Sequence, residues 1–307
     1  MNQLERVKRG IRAPKLLIRK LNIAYHKRFW TRDYNTSGVN IFDQEWDNLL
    51  ILDACRYDIF KQYSDLDGEL EQKTSRGSST IEFLRGNFDD RTFNDTVYVT
   101  ANPQLYRNRH QIDTEFHRTI NIWMEDGWNE EYGTVLPEKT TDYAIQAAKD
   151  HPHKRLLVHY IQPHYPFLSS ETSFDKGDLE NSENPYSFWL QIMMGDLDLS
   201  PCDIWPRYIE NLERALASVR ELLDDITGKT VISSDHGNMV GEHSSPLPIL
   251  EWGHPWGTYT PELVDVPWFI IDDNNRRRIT AETAEATSEA TENETVEERL
   301  QSLGYAG

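Results

Sequence analysis

Two cysteines in 307 residues, Cys55 and Cys202, are too few for a disulfide framework, so the chain must hold itself together by its core. No stretch approaches the roughly 20 consecutive apolar residues that a membrane span requires. The N-terminus also lacks the apolar centre of a secretory leader, and the expected location is therefore cytoplasmic. Positive charge is scarce: 32 Lys and Arg stand against 51 Asp and Glu, for a net charge of −19 and a sequence pI near 4.9. That balance excludes a general nucleic-acid binder, which needs a basic face. With only 38% hydrophobic residues, the surface is of the acidic kind that keeps proteins hydrated in high salt, and a halophilic source such as an archaeon is the expectation. What the chain does have is length enough for one large α/β domain with a full core.

Its few cations are unevenly placed. Arg6, Lys8, Arg9, Arg12, Lys15, Arg19, Lys20, Lys27, Arg28 and Arg32 face a single acidic residue, Glu5, so residues 1–45 form a basic arm on an acidic body. Leu4, Val7, Ile11, Leu17, Ile18 and Leu21 recur at roughly helical spacing, which Pro14 should break or kink. Two fates suit such an arm: peripheral contact with an anionic membrane surface or polymer, or folding back on the acidic domain. The second is favoured, because that partner is already in the molecule.

The most informative stretch is Val231-Ile232-Ser233-Ser234-Asp235-His236-Gly237. A short β-branched run reads as an inner strand of a parallel sheet, and ligands bind beyond the carboxyl ends of such strands. Asp235 and His236 are hard-oxygen and imidazole donors at such an end, and Gly237 allows the chain to turn there. Asn48-Leu49-Leu50-Ile51-Leu52 is a second apolar run, and it too stops on a carboxylate, Asp53. Two such ends can face one cation.

Other segments fill in the domain. Arg56 and Asp58 open a helix through Tyr63; Arg56 can hold an anionic substrate oxygen or pair with Asp58. In Ser78-Ser79-Thr80-Ile81-Glu82, Ser79 and Glu82 have capping-box spacing, so a helix begins here and offers its N-terminal donors to an anion. Thr96–Thr100 and Arg155–Tyr160 read as strands, the latter running into Pro163-His164-Tyr165-Pro166. The stretch from Ala101 to Pro137 has no clear period and is expected to be irregular or lid-like. A short helix over 141–149 is capped by Thr140 and Thr141. Residues 168–205 look like an insertion loop, and Pro206 then starts a helix that ends at Gly228. Beyond it come His243, His254 and the strand Val266–Ile271. An acidic Ala/Thr/Glu linker follows over 276–295, and a last short helix packs through Val296, Leu300 and Leu303 within 296–307.

The S-S-D-H-G of 233–237 and the L-D-A-C-R-Y-D of 52–58 resemble motifs of the alkaline phosphatase/sulfatase superfamily; the likeness runs from about Trp46 to about Ile271 and implies a catalytic domain over 46–275. The resemblance implies an α/β, alkaline-phosphatase-like, doubly wound and mostly parallel central sheet with helices on both faces. It implies one divalent cation (Zn, Mn, Mg or Ca) held by Asp53, Asp235, His236 and the Thr80 hydroxyl. Thr80 is the implied nucleophile, with Ser79 second and Ser78 third. His164 and His254 would hold the transferred anion or the leaving oxygen. The C-x-P-x-R motif of formylglycine sulfatases is absent around Cys55, which is then a small buried residue. The missing P-D-x-x-G-H motif of two-metal members argues against a second cation.

The expected function is a metal-dependent hydrolase or transferase of phosphate esters, less so sulfate esters, acting through a covalent Thr intermediate on glycans or lipid-linked sugars. Two alternatives stand beside it: a sulfatase using an unmodified hydroxyl, and a non-catalytic adaptor in envelope-polysaccharide assembly.

Overall fold

A computed structural model describes residues 14–29, 31–169, 187–272 and 275–282. Eleven strands are found among them: β1 (Asn48–Leu52), β2 (Glu69–Thr74), β3 (Arg91–Thr100), β4 (Thr114–Asn121), β5 (Trp128–Asn129), β6 (Thr134–Val135), β7 (Arg155–Tyr160), β8 (Thr230–Ser233), β9 (Met239–His243), β10 (Leu250–Gly253) and β11 (Asp265–Ile271). Seven of these make one sheet in the order β2-β11-β8-β1-β7-β3-β4. From β8 to β4 the neighbours are parallel, while β11 runs antiparallel to both β8 and β2. The fold is thus a mixed α/β domain around a largely parallel sheet.

The centre of the sheet follows from residue alternation. All of β1 is buried, and its odd and even residues go to opposite layers because a strand's side chains alternate faces. Leu50 and Leu52 join Val97, Val99, Val158 and Ile232 under the helices Pro137–Asp150 and Pro201–Asp225. Leu49 and Ile51 join Tyr98, Leu157 and Val231 under Phe83, Leu84 and Phe88 of the Thr80–Phe88 helix. Each such side chain, fully withdrawn from water, contributes roughly 1.5–3 kcal/mol. Burial on both faces is why β1 reads as an unbroken apolar run.

Register sets the site. Ile51 lies opposite Ser233, so the two strands reach Asp53 and Asp235 at the same level, two residues further on. On the other side of β1, Ile51 lies opposite His159, and Thr100 of β3 also pairs with His159.

Several local expectations are corrected. The 101–137 stretch is not a lid: Thr114–Asn121 is the edge strand β4, paired with β3, and its exposed edge explains the weak apolar pattern. The helix expected at 141 starts at Pro137, with Leu136 as its N-cap, and Thr140 and Thr141 are buried inside it. Pro206 does not start its helix; that helix begins at Pro201 with a Ser200–Asp203 capping box, and Pro206 lies within it. The 168–205 segment contains a helix, Phe188–Met194. Arg276 and Arg277 are no solvated linker: both bind Asp47 below the sheet, and Thr280 and Glu282 continue along it through backbone bonds to His153 and Asn94. The rest of the expected linker and the 296–307 helix lie outside the described residues.

Pro14 is the first residue of the helix Pro14–His26, and whether it breaks the pattern running from Leu4 lies outside the described residues. The helix lies on the domain through Asn22, which donates to Ser244 Oγ and to the Leu247 carbonyl, and through an Arg19–Glu251 ion pair of 3.2 Å. This part of the arm folds back as favoured; residues 1–13 lie outside the description.

Candidate metal centre

Asp53, Asp235 and His236 are fully buried and converge at the carboxyl ends of β1 and β8. Each is held by one of its polar atoms and presents another. Asp235 Oδ1 accepts the backbone N–H groups of Ala54 at 3.1 Å and His236 at 2.9 Å, leaving Oδ2 facing the site. Asp53 Oδ2 accepts from Asn102 Nδ2 at 2.6 Å, which turns Oδ1 inward. His236 Nδ1 lies 2.7 Å from the Gly237 carbonyl; a carbonyl only accepts, so Nδ1 carries the proton and Nε2 presents its lone pair.

That lone pair is 3.4 Å from Asp235 Oδ2, 3.5 Å from Asp53 Oδ1 and 3.3 Å from Thr80 Oγ1. Four donors around a tetrahedral cation at about 2.0–2.2 Å stand roughly 3.3–3.6 Å apart, so these separations suit a cation among them. Two carboxylate oxygens and an imidazole lone pair would otherwise repel one another inside a dry core. The donor set, two oxygens, one nitrogen and a hydroxyl, therefore fits a divalent metal ion, and the outer partners Asn102, Ala54 and Gly237 orient it. It forms the single group of potential metal-binding side chains among the described residues.

The local backbone is shaped for this. Ala54, just after Asp53, adopts the left-handed region at φ +61°, a conformation that costs a non-glycine residue on the order of 1–2 kcal/mol. It is held there by Tyr208, whose hydroxyl donates to the Ala54 carbonyl. Gly237 is needed for close approach: a Cβ would lie 2.1 Å from the Glu262 carbonyl oxygen.

Thr80 is the first residue of its helix, and Ser79 is the N-cap. The expected Ser79–Glu82 capping box does not form. Glu82 instead accepts from Ser78 N at 3.1 Å and Ser78 Oγ at 2.7 Å, and it is paired with Lys27 Nζ at 3.4 Å. Gly257 N and Tyr259 Oη also donate to it, so this buried carboxylate ties the helix start to the arm and to the 255–259 loop. Ser78 is thereby committed to Glu82 and to the Pro255 carbonyl, and Thr80 alone of the three hydroxyls makes contact with His236.

The sheet brings the two further histidines to the same place. His164 Nε2 and His254 Nε2 are 2.9 Å apart, and the His254 ring lies 4.5 Å from that of His236, centroid to centroid. His164 Nδ1 donates to the Tyr165 carbonyl, so its Nε2 accepts and His254 Nε2 is the donor. Burial lowers the His164 pKa to about 4 and holds His254 well below its ordinary value.

Arg56 does not join the site as an anion holder. Its guanidinium is taken up by Asp58, at 2.9 and 2.7 Å, by the Asn238 carbonyl and by Glu242, so it clamps two loops together. Cys55 is buried, and burial pushes its thiol far above the range in which a thiolate forms. Sequence reasoning missed Asn102 and His159. Asn102 follows the end of β3, a third parallel strand end, and that rule would have found it. His159 lies inside β7 with Nδ1 2.9 Å from the Tyr98 hydroxyl and Nε2 3.8 Å from Asp235 Oδ2.

No protein-family model matches the chain, and no curated protein does. Among solved structures it is similar to the C-terminal periplasmic domain of EcEptC from Escherichia coli in complex with Zn, at 14% identity over 73% of this chain and 72% of that one, with a TM-score of 0.46. It is also similar to a protein in the alkaline phosphatase superfamily from Vibrio parahaemolyticus, at 10% identity over 89% and 68%, TM-score 0.46. A third is the lipoteichoic acid synthase LtaP from Listeria monocytogenes, at 11% identity over 81% and 70%, TM-score 0.33. The similar structures thus include a member of the superfamily that the sequence motifs resemble.

Proposed function

We propose that this chain is a divalent-metal-dependent enzyme that transfers a phosphoryl group from an ester through a covalent Thr80 intermediate. The observation that carries the reading is the four-atom cluster: Asp53 Oδ1, Asp235 Oδ2 and Thr80 Oγ1 each lie within 3.5 Å of a His236 nitrogen whose lone pair faces them. The motif resemblance to the alkaline phosphatase/sulfatase superfamily supports the same chemistry. A bound cation would lower the hydroxyl pKa and offset charge on the transferred group.

The chain's own residues do the rest. The Thr80 hydroxyl sits at the first turn of its helix, where free backbone N–H groups favour the incoming anion. Its oxygen, with its proton released to water, attacks phosphorus in line; the Oγ1–P bond forms as the bond to the leaving oxygen breaks. His254 Nε2–H, which donates to His164, stands ready to hydrogen-bond the anion or the leaving oxygen; both rings are neutral near pH 7, so that oxygen takes its proton from water. Water or an acceptor alcohol then attacks the phosphothreonine and releases Thr80. The reading is tested by metal analysis of the purified protein, combined with turnover of aryl phosphate and aryl sulfate before and after chelation. Metal-dependent phosphate turnover, with a mass increment on Thr80 after quenching, is expected. Sulfate turnover alone would favour a sulfatase using an unmodified hydroxyl, and no turnover with tight metal binding would favour a non-catalytic adaptor.

A further inference from the structure

The N-terminal helix carries more apolar surface than its docking on the domain uses. The side it lays on the domain is mixed: Leu16 and Ile18 pack against the core, while Asn22 binds Ser244 and Leu247, Arg19 pairs with Glu251, and His26 binds the Ser245 carbonyl. The opposite side is apolar and open. Leu17, Leu21 and Tyr25 recur every four residues, one turn apart, and are 50%, 59% and 47% exposed; Phe29 just beyond the helix is 79% exposed. A surface helix normally turns its apolar stripe inward.

The remaining exposed large hydrophobic residues fall in the same place. Among the described residues these are Leu247, Leu250 and Trp256, all in the segment against which the helix packs. Lys15, Lys20 and Arg28 are exposed on the same helix and its end. Among the described residues of a chain with net charge −19, the exposed large hydrophobic side chains are therefore gathered beside its basic arm.

We propose that this face docks in the interfacial region of an anionic lipid surface. Leu17, Leu21 and Phe29 enter the apolar boundary, Tyr25 and Trp256 lie at headgroup depth, and Lys15, Lys20 and Arg28 meet the lipid phosphates. The acidic remainder of the molecule is repelled by the same surface, so only this face can approach it. A second copy is a poorer occupant: a two-fold contact would set each patch against its own image and bring the same cations together. The inference does not rest on the catalytic reading.

Sedimentation of the full chain with vesicles tests it. The wild type is expected to pellet with vesicles containing phosphatidylglycerol and to remain in solution with pure phosphatidylcholine, with binding that weakens as salt is raised. Leu17→Glu/Leu21→Glu should reduce the bound fraction at least tenfold while the melting temperature stays unchanged, since both side chains are exposed. Lys20→Glu/Arg28→Glu, which leaves the apolar stripe intact, should reduce binding as well. A wild type that ignores anionic vesicles, or binding that survives both double variants, overturns the proposal. So does size-exclusion chromatography showing a dimer that Leu21→Glu converts to monomer, because a second copy would then be what covers the face.

Discussion

Asn102 donates to Asp53 Oδ2 at 2.6 Å, and this bond fixes which carboxylate oxygen turns toward His236. Asp235 is oriented likewise by backbone donors and His236 by a carbonyl, so the donor set is preorganised before any ion arrives.

Replacing Asn102 with alanine should lower metal affinity about 10- to 100-fold, the usual effect of losing a partner that orients a ligand. Isothermal titration with zinc or manganese measures it. An unchanged affinity would show that Asp53 needs no such orientation.

Thr80→Ala should cut turnover on the order of 10³- to 10⁶-fold, as loss of a nucleophile does elsewhere. Thr80→Ser should keep a measurable fraction, because its hydroxyl remains in reach. Steady-state rates on an aryl phosphate decide the matter, and full activity in the alanine variant would discard Thr80 as the nucleophile.

Glu82→Ala strips a buried lysine, Lys27, of its counter-charge and leaves the Ser78 and Gly257 N–H groups without an acceptor. Removing one partner of a buried pair costs about 3–5 kcal/mol. Urea unfolding should show a loss of that order. Lys27→Met added to it should restore only part, since the backbone donors stay unpaired.

Acid should destabilise the metal-free protein before its carboxylates titrate. His159 and His164 are buried as neutral imidazoles, and burial first of all lowers their pKa values to about 4 from 6.5. Both groups are depressed on folding, so the unfolded chain binds more protons in this window. Their contribution is present above about pH 6.5 and is lost as pH falls toward 4. Melting temperatures of chelator-treated protein between pH 7.5 and 4.5 test this. A profile flat down to pH 5 would mean that these rings are already charged in the folded state.

Much of the site was legible because strand ends carry their own signal. An apolar run that stops on Asp53, and another that stops on Asp235-His236, imply a site before any pairing is known. The capping box failed for a physical reason: spacing shows that Ser79 and Glu82 could meet, but Glu82 had better partners in Lys27, Gly257 and Tyr259, all distant in sequence. Of the two partners open to Arg56, a substrate oxygen or Asp58, the structure shows Asp58, joined by Glu242 from a distant loop that spacing could not reveal. The strand at Thr114–Asn121 escaped notice because an edge strand need not alternate cleanly.

Local chemistry in the sequence determined the central strands β1, β7 and β8, the helix start at Thr80 and the residue types able to ligate a metal, since those depend on neighbours along the chain. Tertiary structure alone decided that β1 and β8 lie in register, so that Asp53 and Asp235 share one level, and that Asn102 and Thr80 reach them from other segments. It also decided that the arm rests on Leu16, Ile18, Arg19 and Asn22 and leaves Leu17, Leu21 and Tyr25 to solvent. A periodic pattern shows that a helix has two faces; which of them is covered depends on what the fold sets against it.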